Sequence, residues 1–214
     1  MNASQTPRPN LLAGEDLPAQ PHQKRSIEKR ARLKSAGLAL FGEKGYEGTS
    51  IQEIAARAGL AVGGFYLHYR SKRQLLLALM DELLDHLTRL TLQTEASGSV
   101  RAGLRAFLGR AFATDLQFLG AYRAFQEAAL SDEDLARKQQ AIFAWTNGRV
   151  TAFFQMLQRL PGARPGVDVP SLARAMDSFF WNLLSQAVKM NGVELNQWID
   201  AATHLIYHAL FLDE

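Results

Sequence analysis

The sequence predicts an all-α protein of about nine helices, and two observations lead to this fold class. Apolar residues recur at the three- and four-residue spacing of helices along most of the chain, and no stretch gives a strong strand pattern. Clear helix-ending signals separate the periodic stretches, among them the loop from Pro161 to Gly166. The chain has 214 residues, 47% of them hydrophobic, which is enough for one large or two small domains with a full core.

The composition excludes several classes of protein. The chain contains no cysteine, so disulfides, thiolate metal sites and cysteine nucleophiles are excluded. No apolar run reaches the roughly 18 residues that a membrane span needs. The N-terminus also lacks the basic region followed by an apolar core that a signal peptide has. A cytoplasmic protein that does not associate with membranes is therefore expected.

The N-terminal part of the chain changes character near residue 23. Residues 1–22 contain four prolines and no visible period, which predicts a disordered tail with a short ordered piece around Leu11 and Leu12. A helix follows from about Lys24 and ends by Gly45. The cations in its first two turns fit contacts with phosphates along a duplex, and they fit a solvated helix start equally well.

The stretch from Ser50 to Tyr69 has the pattern of two short helices joined by a tight turn. Ser50 and Glu53 form a capping box at the start of the first helix. Gly59 follows that helix directly and suits the left-handed conformation at a helix end. The second helix, from Leu60, has few charges. This arrangement is a helix-turn-helix, whose second helix is presented to the major groove of DNA.

Positive charge is concentrated in the segment that contains this motif. Residues 1–72 hold 11 Lys and Arg and 6 Asp and Glu, a net charge of +5, whereas residues 73–214 hold 13 and 15, a net charge of −2. A basic region of this kind is the expected electrostatic footprint of a nucleic-acid-binding domain. A solvated basic helix would give the same counts.

A longer pattern surrounds the motif between Leu33 and Leu75. Its positions, in register, are Leu40-Phe41, Gly45-Tyr46, Thr49-Ser50-Ile51, Ile54-Ala55, Ala58-Gly59-Leu60, Gly63, Phe65-Tyr66, His68-Tyr69, Ser71-Lys72 and Leu75. This pattern resembles the DNA-binding domain of the tetracycline-repressor (TetR) family. The resemblance covers roughly the first third of the chain.

The chain departs from the family pattern at four positions. Gly37 stands inside the first helix where alanine is usual, which costs about 1 kcal/mol of helix propensity. Ala61 replaces a capping serine or threonine, and Val62 and Gly64 stand where polar residues are common. These last three positions lie on the helix that would read DNA, so they bear on base preference more than on binding itself.

The resemblance implies two domains and a dimer. The helix-turn-helix domain would cover residues 23–72, with its motif at 50–69, and a helical ligand-binding and dimerisation domain would cover residues 73–214. A homodimer would form through the last two helices, which are apolar on more than one side. Its two reading helices would lie near 34–36 Å apart, or a multiple of that, so the expected partner is double-stranded DNA with an inverted repeat.

Nine residues are predicted to contact DNA. Thr49 and Ser50 lie at a helix N-terminus, which favours a phosphate. Gly63 and Gly64 let the backbone approach DNA closely, and Val62 and Leu67 can reach a thymine methyl. The resemblance adds Tyr66, His68 and Lys72. There are alternatives for several of them: Thr49 and Ser50 could only cap the helix, Leu67 could be partly buried, and His68 could be an ordinary surface histidine. The nine residues are Thr49, Ser50, Val62, Gly63, Gly64, Tyr66, Leu67, His68 and Lys72. Because the reading helix has few polar groups for base edges, modest specificity per base, supplemented by DNA shape, is expected.

The remaining chain is predicted to form six further helices. The first of them is followed by Gly98, and the fifth ends at Asn191-Gly192. They extend from Ser71 to about Thr94, over residues 100–113 and 116–130 with a break near Asp115, from Ser131 to about Leu160, from about Pro170, and from Leu195 to Leu212.

In TetR-like proteins a pocket in the second domain binds a small molecule, and the bound form releases DNA because the ligand prefers the non-binding geometry. The resemblance therefore implies a small-molecule effector, and the many aromatic residues of this part of the chain suggest an apolar or aromatic one. Aromatic residues at helical spacing also fit an ordinary core. The suggested contacts are Tyr122, Phe125, Trp145 and Trp181, with polar contacts from Arg123, Glu127, Asn147, Asn182 or Gln186.

Asp200, His204 and His208 follow one another at four-residue intervals on one face of the last helix. That spacing suits a metal ion, and it also suits polar residues in a dimer seam or on the surface. No cofactor is expected.

The predicted function is a ligand-responsive, DNA-binding transcriptional regulator that acts as a repressor and is not an enzyme. A helical-bundle enzyme is one alternative, although the chain has neither a Glu-x-x-His carboxylate motif nor a phosphate loop. An interaction module that keeps the fold without binding DNA is the other.

Overall fold

A computed structural model describes residues 6–19, 23–90, 99–186 and 192–212. In these ranges it contains eight α-helices and one isolated β-bridge, between Ala163 and Phe211. The predicted all-α fold class is confirmed. The helices are α1 (Lys24–Lys44), α2 (Ile51–Arg57), α3 (Val62–Tyr66), α4 (Lys72–Arg89), α5 (Val100–Ala129), α6 (Glu133–Leu157), α7 (Val169–Gln186) and α8 (Gly192–Leu210).

The predicted break near Asp115 is wrong, because α5 is continuous through it. Thr114 donates a hydrogen bond from its hydroxyl to the Arg110 carbonyl oxygen, one turn earlier at 3.0 Å, so its polar group is satisfied inside the helix. One aspartate costs less than about 1 kcal/mol of helix propensity. The burial of Phe112 and Phe118 on either side stabilises the helix by more than that.

Three predicted helix-ending positions, Thr94, Gly98 and Asn191, lie outside the described residues. Among the described residues, no helix is both long enough and apolar enough to cross a membrane.

The chain divides into two compact units. The unit that we call the head comprises residues 10–86 and 117–139, and the unit that we call the body comprises Met1–Pro9, Leu87–Leu116 and Gln140–Glu214. The head therefore includes residues beyond 23–72. The functional boundary at residue 72 stays a prediction.

The head is held together where helices cross closely. In α1, Leu33 and Phe41 are buried, and Gly37 lies beside Leu75 of α4. A Cβ atom on Gly37 would lie 2.6 Å from the Leu75 Cδ2 atom. The glycine that appears unfavourable in the sequence thus permits the contact between α1 and α4.

The N-terminal segment contains an ordered piece at the expected place and extends it. Residues 11–14 form a turn, Leu11 is buried, and its backbone N–H donates to the Asp81 carboxylate at 3.3 Å. Glu15 forms an ion pair with Arg73, which also binds carboxylates at the start of α6. These contacts fix residues 10–16 against the rest of the head.

The body is rich in aromatic contacts. Phe107 and Phe153 stack with ring centroids 4.6 Å apart, and Phe143 meets the Trp181 ring edge-on at 5.4 Å. Ile206 of α8 is fully buried. Three of these four rings, Phe107, Phe153 and Trp181, line the cavity described below.

Candidate nucleic-acid interface and ligand cavity

The turn between α2 and α3 has the geometry that the sequence predicts. The Ser50 hydroxyl accepts a hydrogen bond from the Glu53 backbone N–H at 3.2 Å, and the Glu53 carboxylate accepts one from the Ser50 N–H at 3.0 Å. The capping box is therefore confirmed. Gly59 has a φ of 66°, in the left-handed region that favours glycine. Its conformation allows the chain to turn directly into α3.

Helix α3 is short and has little intrinsic stability. Its sequence, VGGFY, contains two glycines, and Ala61 at the N-cap makes no side-chain hydrogen bond. The Phe65 ring is fully buried and lies 5.9 Å from the Tyr69 ring, centroid to centroid. Burial of Phe65 therefore determines where α3 sits.

The opposite side of α3 faces solvent. Val62, Tyr66 and Leu67 are 36%, 49% and 71% exposed, so the leucine is not partly buried. A Cβ atom on Gly63 would have no heavy atom within 4 Å, which shows that the space beside its backbone is open. The exposed side is thus a flat apolar surface with one phenolic hydroxyl.

Three other predicted DNA contacts have roles inside the head. The Thr49 hydroxyl lies 2.7 Å from the Gly45 carbonyl oxygen, and the side chain is buried. Lys72 donates from Nζ to the Tyr46 carbonyl oxygen at 2.7 Å and to that of Thr49 at 3.2 Å. His68 is also buried. Contact between these side chains and DNA stays a prediction.

Burial, followed by the positive charges of Arg30 and Lys29, holds the pKa of His68 below its ordinary value. The ring is therefore neutral near pH 7. Arg30 also donates from Nε to the Tyr69 hydroxyl at 3.2 Å. The more N-terminal cations Lys24 and Arg25 are exposed, as the sequence pattern allows for either phosphate contact or solvation.

The body contains a cavity of about 460 Å³ that is partly open to solvent. Two of the four predicted ligand contacts, Trp145 and Trp181, line it. The other two, Tyr122 and Phe125, are buried in the head and do not line it. Most of the walls are apolar or aromatic. They come from Leu87, Leu90, Phe107, Leu108, Ala111, Phe112, Trp145, Val150, Ala152, Phe153, Met156, Phe180 and Trp181.

The polar residues suggested for the pocket are not the ones found. Arg123, Glu127, Asn147 and Asn182 do not line the cavity, and the side chain of Gln186 lies outside the described part of the chain. The Glu127 carboxylate instead accepts the Tyr46 backbone N–H at 2.7 Å, within the head.

Residues 33–79 match the family described as bacterial regulatory proteins, tetR family. They contain α2, α3 and the crossing of α1 with α4. This part of the chain is a TetR-family DNA-binding domain.

Two bacterial regulators illustrate how far the similarity extends along the chain. The chain is 47% identical over 51 residues to the uncharacterized HTH-type transcriptional regulator YerO of Bacillus subtilis; the match covers 24% of this chain and 18% of YerO. The chain thus spans only about a fifth of YerO. It is also 26% identical over 197 residues to the HTH-type transcriptional regulator TtgR of Pseudomonas putida, covering 84% of this chain and 91% of TtgR.

Solved structures share the fold. SmeT, described as the repressor of the Stenotrophomonas maltophilia multidrug efflux pump SmeDEF, matches with a TM-score of 0.62 and 23% identity over 87% of this chain and 93% of SmeT. The complex of SmeT with triclosan matches with a TM-score of 0.66 and 23% identity over 86% of this chain and 92% of SmeT. At this identity the likeness concerns the fold alone.

Sequence reasoning missed the charged residues of the body cavity. Asp115, Asp177 and Arg149 line it, one each from α5, α7 and α6. Burial raises the pKa of Asp115 to about 7. Burial also raises the pKa of Asp177 to about 6, and the nearby Trp181 and Thr146 side chains, which lower it, offset this only in part. The sequence does contain a signal for the two aspartates, because each of them interrupts an apolar stretch of its helix.

The residues weighed as a metal site form other contacts. Asp200 accepts a hydrogen bond from Arg105 Nε at 2.6 Å, and the His204 and His208 rings lie 4.1 Å apart, centroid to centroid. Within the described ranges, no group of three or more His, Cys, Asp or Glu side chains could hold a metal ion.

Replacement of Asp115 by asparagine is expected to stabilise the protein at alkaline pH and not at acidic pH. The folded-state pKa of about 7 lies above the ordinary value of 3.8, so the stability that protonated Asp115 contributes is complete below about pH 4 and is lost as the pH rises through about 7. A pKa change of this size corresponds to about 4 kcal/mol, which solvent in the open cavity reduces to about 2 kcal/mol. Urea unfolding at about pH 4 and pH 8 measures the difference, and an equal effect at both pH values would contradict the burial of this carboxyl.

Proposed function

We propose that this chain is a ligand-responsive transcriptional repressor of the TetR type that binds an inverted-repeat operator in the cytoplasm. The observation that carries the proposal is the solvent-facing side of α3, placed by the tight turn after α2. That side presents Val62, Tyr66 and Leu67 at the position of a reading helix. The nearby exposed cations Lys24 and Arg25 fit phosphates, which fix position, while the α3 surface reads the groove.

The exposure or burial of each of the nine predicted residues indicates how it would contribute to DNA binding. Gly63, Gly64 and the exposed side chains of Val62, Tyr66 and Leu67 would meet the groove. Ser50 would offer the α2 N-terminus to a phosphate while its side chain stays in the capping box. Thr49, His68 and Lys72 would hold the turn in place, and their contribution to affinity would come through that geometry.

Dimerisation through α7 and α8 would bring two α3 helices together in one DNA-binding unit. In α8, Val193 and Leu205 are 68% and 48% exposed, and Trp198 is half-buried against Phe179. Apolar side chains left on the outside of a helix are characteristic of a surface that another subunit covers. A symmetric pair would place two α3 helices on two half-sites of an inverted repeat.

The body cavity would hold the effector. Its volume of about 460 Å³ is in the range of small-molecule sites, and its walls are mostly apolar and aromatic. SmeT, which shares the fold, has been solved with triclosan, a small aromatic molecule. An effector that binds the non-reading geometry more tightly would release the operator.

Replacement of Leu67 by alanine is expected to weaken duplex binding about fivefold, since the exposed side chain would lose an apolar contact worth about 1 kcal/mol in the groove. The operator is first selected from a random duplex pool with the wild-type protein. Affinity is then measured at several salt concentrations by fluorescence anisotropy, and the number of chains per duplex is measured by sedimentation.

Leu130→Ala is the matched control, because Leu130 is also in the head and is 89% exposed, but lies in the turn between α5 and α6. It should leave affinity unchanged. Equal losses in the two variants would remove α3 from the interface. A wild-type protein that binds no duplex, or binds as a single chain, would overturn the proposed function.

A further inference from the structure

The charged side chains of the body cavity are unusual for a site lined by so many aromatic rings. Asp115 and Asp177 bring two carboxyl groups into it, whereas Arg149 brings one cation. A carboxylate taken out of water needs a partner, or it binds a proton instead. The hydrogen-bond and ion-pair partners of the two aspartates therefore indicate whether the cavity can accept another positive charge.

Arg149 is already engaged. Its Nη2 donates to the Leu87 carbonyl oxygen at 2.8 Å, and its guanidinium lies 5.0 Å from the centre of the Trp145 ring. In the described part of the chain, Arg149 forms no ion pair with either cavity aspartate, and Asp115 has no hydrogen-bond or ion-pair partner. The cavity can accept a positive charge that its own arginine does not supply.

We propose that the cavity selects a lipophilic organic cation, whose charge lies near Asp115 and Asp177 and whose apolar body packs against the aromatic walls. This inference rests on the proposed function in one respect, that the cavity is the effector site. Other aromatic rings in the walls, such as those of Phe153 and Phe180, favour a cation over a neutral ligand. An anion of the same shape would meet two acids and only one engaged arginine.

The charged groups that face the bound cation set the pH dependence. They are Asp115 on α5, Arg149 on α6 and Asp177 on α7; the other described lining residues are uncharged. Burial lowers the pKa of Arg149, but an arginine stays charged across the neutral range. Affinity for a cation is therefore expected to rise with pH between about 5 and 8, as the two aspartates ionise.

The test uses two ions of one shape and opposite charge, tetraphenylphosphonium and tetraphenylborate. Binding to the full chain is measured by titration calorimetry in sodium buffer near pH 8, because tetraphenylborate precipitates with potassium. The phosphonium is expected to bind at least about tenfold more tightly. Asp115→Asn and Asp177→Asn should each reduce that preference about fivefold to tenfold.

Asp200→Asn is the matched control. It removes the same charge from the body, but its carboxylate pairs with Arg105 and does not line the cavity. It should leave the preference unchanged. Circular dichroism melting verifies that each variant is folded, and the ratio of the two affinities within one variant is insensitive to a loss of active protein.

Equal affinities for the two ions, or a preference that survives both cavity substitutions, would overturn the cation site. The selected operator distinguishes this outcome from failure of the proposed function. If the phosphonium binds through Asp115 and Asp177 while no duplex is ever bound, the cation site stands and the repressor proposal falls. If the operator is bound and neither ion discriminates, the repressor proposal stands and the cation site falls.

Discussion

Replacement of Gly120 by alanine is expected to lower the free energy of unfolding by about 3 kcal/mol, because α5 meets α1 backbone to backbone at this residue. A Cβ atom on Gly120 would lie 2.7 Å from the Gly42 Cα and backbone N atoms, and 2.8 Å from the Leu38 carbonyl oxygen. Backbone atoms cannot rotate away as a side chain would. The two helices of the head must separate, and the apolar contacts beside the crossing are lost with them.

Gly109→Ala in the same helix is the matched control. A Cβ atom there would meet no heavy atom within 4 Å, so only helix propensity changes, and a gain of about 0.5–1 kcal/mol is expected. Urea unfolding followed by circular dichroism measures both variants. If Gly120→Ala is as stable as the wild type, α1 and α5 do not approach each other as closely as described.

The sequence predicts those parts of the fold that depend on neighbouring residues. The capping box of Ser50 and Glu53 and the left-handed Gly59 are local, so their geometry follows from residue type and spacing. The continuity of α5 through Asp115 depends on burial of distant faces, which spacing alone does not reveal. Gly37 shows the same limit, because the Leu75 side chain that explains it lies on another helix.

The candidate sites also divide into features that follow from neighbouring residues and features that depend on distant ones. Sequence reasoning placed Tyr66 on the reading helix, and the structure exposes it. Thr49 and His68 have equally polar side chains, yet both are buried, which depends on how α1 and α4 cover the motif. In the body, Asp115 and Asp177 come from separate helices to one cavity. Only the three-dimensional arrangement brings such residues together.

Phe65 and Tyr66 are neighbours on α3 with opposite exposure, so alanine at each position should separate support of the reading helix from contact with DNA. Phe65 is fully buried, and removal of its ring is expected to cost about 3–5 kcal/mol of stability. Tyr66 is 49% exposed, so its removal should change stability by less than about 0.5 kcal/mol. Its hydroxyl would donate to a phosphate, a hydrogen bond worth about 1.5–3 kcal/mol, so affinity for the selected operator should fall at least about tenfold.

Thermal unfolding and operator anisotropy on both variants measure the two effects. Because α3 contains two glycines and no side-chain cap, Phe65→Ala should also abolish operator binding at temperatures where the rest of the protein remains helical. Phe65→Leu restores most of the buried volume and should recover part of both properties. A Tyr66→Ala variant that binds the operator normally would mean that the exposed side of α3 does not face DNA, whatever the stability of Phe65→Ala.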